Sequence, residues 1–367
     1  MHPLVNRAGH YLIRNLDGVL LGVVLALMTL GLAVLISASN LSGARIMAQL
    51  ANMLIALGVL WLFANLPPHF LLRLAFPLYV LGVLLLVAVA LGGDKVHGAR
   101  RWLDLGVTRI QPSELMKIAV PLAMAWYFDR YEATLRLRHY AVAALMLIVP
   151  VALIARQPDL GTSVLITAAG FFVLFLAGLH WRIIAGLAAV TIGSLPFVWS
   201  LLHDYQRQRI LTLFDPSQDP LGAGYHTIQS TIAVGSGGWL GKGWLSGTQT
   251  HLDFIPERTT DFVFAVYGEE FGLVGCVALL VLYLTVVSRG MLITANAPTM
   301  FTRLLAGAIT LTFFTYAFVN IGMVVGLLPV VGVPLPLISY GGTSLASICI
   351  GIGILMSIHS HKKLVQT

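Results

Sequence analysis

Residues 18–38 read GVLLGVVLALMTLGLAVLISA, a run of 21 positions without a charge. A helix rises about 1.5 Å per residue, so such a run crosses the roughly 30 Å hydrocarbon core of a bilayer. It is too long for the apolar part of a signal peptide, lacks a small-residue cleavage site and precedes more runs of the same kind. It therefore reads as a retained transmembrane helix. Similar segments follow near 46–66, 71–92, 113–128, 139–155, 160–178, 182–202, 262–287, 303–327 and 343–359. The expected fold is all-α: a polytopic integral membrane protein of about ten transmembrane helices, residues 1–367 forming a single transmembrane domain.

Composition agrees. With 58% hydrophobic and 10% charged residues in 367, and a mean hydropathy of +0.88, the chain cannot supply the surface of a water-soluble globule. Cys276 and Cys349 fall inside predicted spans and offer neither a disulfide framework nor a metal-ligand spacing. Basic residues collect on one side of the spans, among them Arg7, Arg14, Arg73, Arg130, Arg136, Arg138, Arg303, Lys362 and Lys363. That bias makes this side, with both termini, cytoplasmic. The net charge of +7 is then a product of topology, and nucleic-acid binding is not implied.

Two connections on the external side stand out. The one at 93–112 carries Lys95, Arg100, Arg101 and Arg109 where basic residues are normally scarce, which suggests an anionic ligand. The one at 203–261, between the seventh and eighth spans, is long yet rich in large apolar groups. It is expected to pack on the bundle or dip into the membrane interface, with Tyr225 to Val234 as a short amphipathic helix. Gly235-Ser-Gly-Gly-Trp-Leu-Gly-Lys-Gly within it fails the phosphate-loop pattern at Ser236 and Gly243. No nucleotide site is expected; it reads as a flexible turn with Trp239 and Trp244 at the interface.

Three acids open spans that enter from outside: Glu114, Asp159 and Asp261. Positive helix ends favour their ionised forms. Each has a plain structural reading. Asp261, before Phe262-Val-Phe-Ala-Val, and Asp159, before Leu160-Gly-Thr, are both placed to cap a helix. Glu114 and Lys117, three residues apart, can form a structural ion pair. The functional alternatives are a base at Asp261, taking a proton from a sugar hydroxyl, and an ammonium at Lys117 directed at a phosphate. Arg100, Arg101, Arg207, Arg209 and Arg258 either anchor at the interface or neutralise an anionic substrate. A divalent cation, Mg2+ or Mn2+, held by Glu114, Asp159 or Asp261 could do the same. Glu269 and Glu270 project about 100° apart, so at least one faces the bundle interior.

Seven ordered motifs bring a family into view. They are Arg100-Arg-Trp-Leu-Asp-Leu-Gly, Gln111-Pro-Ser-Glu-Leu-Met-Lys, Gln157-Pro-Asp-Leu-Gly-Thr, His203-Asp-Tyr-Gln-Arg-Gln-Arg, Pro256-Glu-Arg-Thr-Thr-Asp-Phe, Asn320-Ile-Gly-Met and Leu328-Pro-Val-Val-Gly-Val-Pro-Leu-Pro-Leu-Ile-Ser-Tyr-Gly-Gly. Over nearly its whole length the chain resembles the shape, elongation, division and sporulation (SEDS) family. The resemblance implies a peptidoglycan glycosyltransferase of the cytoplasmic (inner) membrane that polymerises lipid II at the outer face during cell elongation. By the same likeness Asp261 is catalytic, and Glu114, Lys117 and Asp159 line a central cavity. Arg100, Arg101, Lys117 and Arg209 are candidates to clamp the pyrophosphate of the undecaprenyl-linked glycan. A class B penicillin-binding protein, the transpeptidase, and the elongation machinery are the implied partners. Two other functions compete: a lipid II flippase, because charges within spans also mark transport paths, and a non-catalytic scaffold for the transpeptidase.

Overall fold

A computed structural model describes residues 15–92, 94–96, 99–104, 109–157, 159–201, 207, 211–213, 215, 223–252, 254, 255 and 257–361. Its long helices are α1 (Gly18–Ala38), α2 (Gly43–Asn65), α3 (Pro68–Gly92), α4 (Pro112–Arg130), α5 (Leu137–Ala155), α6 (Leu160–Leu176) and α7 (Trp181–Leu201). Two shorter ones, α8 (Ala223–Ser236) and α9 (Thr248–His251), precede α10 (Val263–Ala295), α11 (Met300–Val324) and α12 (Gly342–His361). Every apolar segment read from the sequence coincides with one of the long helices. Seven of them, α1, α2, α3, α5, α10, α11 and α12, are long and apolar enough to cross a membrane, and the chain is a multi-pass membrane protein.

Helix α4 owes its exclusion from that set to Glu114, Lys117, Asp129 and Arg130, and its position explains them. It packs against α3, α5, α6, α11 and α12, so most of its surface meets protein rather than lipid. Pro77, Pro121, Pro150 and Pro196 lie inside helices, which membrane bundles tolerate because neighbouring groups satisfy the carbonyls that a proline leaves free.

The helical expectation needs one addition. In the 93–112 connection, β1 (Asp94–Val96), β2 (Ala99–Asp104) and β3 (Arg109–Ile110) form a three-stranded antiparallel ribbon. Lys95 faces Arg100 and Val96 faces Ala99, the spacing of a two-residue hairpin, too short a step for helical patterning to register.

Helix α10 is interrupted at Gly272, whose φ of 63° and ψ of −164° are open only to glycine. A break in an apolar setting strands peptide groups, and here the glycine-rich segment after α8 fills it. The N–H groups of Lys242 and Gly243 donate to the carbonyls of Glu269 and Glu270, both at 3.0 Å. Those of Leu273 and Val274 donate to Gly238 and Trp239 at 2.9 and 3.1 Å. The sequence suggested a flexible turn; the structure shows a docked one, because its own peptide groups complete the broken helix. Trp239 and Leu240 remain exposed beside it, and Trp244 is tied by its indole N–H to the Ala33 carbonyl at 2.9 Å.

Candidate active site

The first turns of α4 gather one half of the site. Glu114 Oε1 accepts from Lys117 Nζ at 2.5 Å, and Glu114 Oε2 accepts from Ser347 Oγ of α12 at 2.9 Å. The Lys117 ammonium is buried and stands 5.3 Å from the centre of the Tyr316 ring on α11. From Lys117, Tyr316 and Ser347 a cavity with otherwise mostly apolar walls runs on between α4, α10, α11 and α12.

Asp159 joins this group through Gln111, whose Nε2 donates to Asp159 Oδ2 at 3.3 Å and to Ser113 Oγ at 3.0 Å. Asp159 also caps α6, its Oδ1 accepting the Thr162 N–H at 3.3 Å. Asp159 thus fills the capping position read from the sequence while it also accepts from Gln111 at the start of α4.

Asp261 lies in the turn 257–262, which is fixed peptide by peptide. Tyr340 N–H donates to the Thr259 carbonyl at 2.9 Å, Ser339 Oγ to that of Thr260 at 2.6 Å, and Asn320 Nδ2 to that of Asp261 at 2.8 Å. The helix cap itself falls to Phe262, which makes no side-chain cap bond, so Asp261 does not fill the capping position that the sequence allowed. A Cβ placed on Gly332 would stand 3.4 Å from Asp261 Oδ2, and one on Gly161 would stand 2.6 Å from the Val331 carbonyl. The 331–332 segment thus touches the Asp261 carboxylate on one side and the start of α6, two residues from Asp159, on the other. Tyr316, over which Lys117 lies, packs with Val333 and Leu165.

The cations divide. Arg258 donates from Nε to the Ala38 carbonyl at 2.6 Å and also reaches the Thr250 carbonyl. Arg207 donates to Trp199 O at 3.0 Å and Ser200 O at 2.9 Å, bridging the carboxyl end of α7, a favourable place for a cation. Arg100 and Arg101 belong to β2, their side chains outside the described part of the structure, and Arg209 also lies outside the described residues. Glu269 and Glu270 are both fully buried, Glu269 facing Lys242 and the 248–250 stretch, Glu270 facing Ser37 of α1.

The carboxylates do not form a metal cage: Glu114 is engaged by Lys117 and Ser347, Asp159 by a helix end and Gln111. Among the described residues no three His, Cys, Asp or Glu come together as ligands.

Asn320, Ser339, Ser347, Gln111 and Gly332 complete the site, although no chemistry in the sequence assigned them a part. The available signal was polarity out of place: Asn320 stands within an apolar span and is entirely buried.

A bundle of long apolar helices with ionisable side chains at the amino-terminal ends of α4 and α6 and in the turn before α10 defines the class. The chain belongs to the FtsW/RodA/SpoVE family of cell cycle proteins, whose model matches residues 18–364. It is 50% identical to the peptidoglycan glycosyltransferase MrdB of Escherichia coli K12 over 354 residues, 96% of this chain and 95% of that one. A solved peptidoglycan synthase complex that coordinates polymerization and crosslinking contains a chain 36% identical, with a TM-score of 0.82 over 96% of this chain and 99% of that one. The crystal structure of the rod shape determining protein RodA of Thermus thermophilus matches at 30% identity and a TM-score of 0.69, covering 94% and 97%.

Proposed function

We propose that this chain is a peptidoglycan glycosyltransferase that polymerises lipid II at the outer face of the cytoplasmic membrane, crossing it with about ten helices and keeping both termini inside. The activity is that of its relatives; the observation that carries its assignment to this site is the seating of Asp261. A base must be held within reach of the proton it removes, and three consecutive carbonyls ending at Asp261 are hydrogen-bonded from the 320–340 segment.

In the proposed reaction the 4-hydroxyl of an incoming lipid II glucosamine gives its proton to the Asp261 carboxylate. Its oxygen forms a bond to the anomeric carbon of the lipid-linked glycan. The bond from that carbon to the pyrophosphate breaks, the electron pair leaves with undecaprenyl pyrophosphate, and the anomeric centre inverts from α to β. One carboxylate is enough because a pyrophosphate leaves as a stabilised anion. Lys117, held by Glu114, supplies positive charge at the head of the cavity, and Arg100 and Arg101 of β2, a strand packed against α3 and α4, are further candidates. The apolar cavity beyond Lys117 suits a lipid tail. A class B penicillin-binding protein would cross-link the product, a reading supported by the likeness to a complex that couples the two activities.

Reconstitution tests the proposal. Purified chain with its transpeptidase is given lipid II accessible on the outer face, and glycan strands are resolved on a gel. Polymer lost in Asp261→Asn with the thermal transition retained is the expected result. Polymer undiminished in that variant overturns the assignment of Asp261, and lipid movement without polymer would favour a flippase.

A further inference from the structure

A second buried ionic cluster surrounds Glu269, which the reaction above does not use. The Glu269 side chain is wholly enclosed. Its Oε1 accepts from Lys242 Nζ at 2.7 Å, Gln249 N at 2.9 Å and Thr248 Oγ1 at 3.2 Å. Its Oε2 accepts from Thr250 Oγ1 at 3.0 Å and Thr250 N at 3.2 Å. Five donors, two of them peptide N–H groups, are more than an ion pair with Lys242 requires, and they fix the backbone of residues 248–250.

That backbone has a use. The Thr250 carbonyl receives the guanidinium of Arg258, which also binds the Ala38 carbonyl at the end of α1. Arg258 is three residues before Asp261, in the same turn. Tyr340, Ser339 and Asn320 hold that turn through the carbonyls of Thr259, Thr260 and Asp261. Arg258 holds it through a different set of groups, and Glu269 builds part of the seat that Arg258 occupies. The break at Gly272 contributes too: it frees the Glu269 carbonyl to accept the Lys242 N–H, so one residue grips the 242–250 stretch by both main chain and side chain.

We infer that Glu269 is a positioning residue for the glycosyl transfer, setting Asp261 through Thr250 and Arg258; this rests on the reading of Asp261 as the base. It touches neither substrate nor reacting atoms. A misplacement of about 1 Å in such a support is enough to lower a rate about a hundredfold, so a partial loosening should cost tenfold or more.

The test uses the full chain with its transpeptidase in vesicles and lipid II as the probe, comparing Glu269→Gln, Thr250→Val and Asp261→Asn. Expected are a fall in kcat of about tenfold or more for Glu269→Gln with KM changed less than about threefold, and a smaller fall for Thr250→Val that vanishes in the Glu269→Gln background. The acid limb of the pH–rate profile should move by about half a unit in both variants, because the surroundings of the base have changed; loss of folded enzyme would scale that profile without moving it. A scaled but unmoved profile, or wild-type kinetics, overturns the inference. Should Glu269→Gln fail to fold, Thr250→Val decides on the same criteria. If Asp261→Asn still polymerises, the reading of the base has failed; if it is inactive while Glu269→Gln and Thr250→Val behave as wild type, only the positioning role has.

Discussion

The amide nitrogen of Asn320 spends its two hydrogens on two carbonyls, that of Asp261 at 2.8 Å and that of Val333 at 2.7 Å. One buried side chain on α11 thereby joins the turn carrying the proposed base to the segment whose Gly332 lies against its carboxylate. Asn320→Leu strands both carbonyls, at about 1–3 kcal/mol for each one left buried without a donor. The variant should unfold at lower temperature and make at least tenfold less glycan per folded molecule, read by thermal unfolding and by gel.

Glu114 and Lys117 form a buried pair at 2.5 Å, and removing one member leaves the other charge uncompensated, at about 3–5 kcal/mol. Glu114→Gln and Lys117→Met should each destabilise strongly. The double variant should recover much of that stability but, on the proposed role of Lys117 toward the pyrophosphate, not polymerisation. Unfolding midpoints in detergent beside glycan yields check both halves.

Gly332 has φ of 71°, where a side chain costs about 1–2 kcal/mol, and an added methyl would stand 3.4 Å from Asp261 Oδ2. Gly178 at the far end of α6 has φ of 90° with only the Tyr140 hydroxyl, at 3.8 Å, near an added methyl. Alanine at either position should lower stability by a similar amount. Only Gly332→Ala should depress polymerisation beyond that loss, which parallel melts and activity assays will show.

Asp17 caps α1 through the Leu20 N–H at 2.9 Å and pairs with Arg289 of α10 at 2.6 Å, with His359 of α12 at 3.5 Å. Burial alone would raise its carboxyl; the bonds from Arg289 and Leu20 and the charges of Arg289 and His359 outweigh it and hold the group below its ordinary 3.8. A lowered value in the fold means stability fully present above that ordinary value and lost as pH falls through the depressed one. The stability gap between the native chain and Asp17→Asn should therefore persist from neutral pH down to about 4 and close in more acid solution, as followed by unfolding against pH.

Helix positions were legible because hydropathy over twenty residues is a strong signal, and the ten expected segments meet ten helices within a few residues at most ends. Within them, local patterns gave the Glu114–Lys117 pair and the cap at Asp159, since both depend on residues three apart. What the sequence did not reveal depends on contacts distant along the chain. Gly272 is one glycine among many until residues 238–243 are seen against it. Arg258 and Arg207 read as interface anchors or as counter-charges to an anionic substrate, yet each is taken up by a carboxyl-terminal helix end. The Asp261 turn is secured by Asn320, Ser339 and Tyr340, some 60 to 80 residues later, and no local rule couples them.

The knot of Asp17, Arg289 and His359 ties α1, α10 and α12 at the end remote from Asp261, a buried carboxylate meeting two partly exposed bases. At the opposite end α1 is joined to the turn before α10 by the Arg258 guanidinium on a peptide oxygen. The two ties differ in kind: acid that protonates Asp17 loosens the first and leaves the second, whose acceptor is a peptide oxygen, in place.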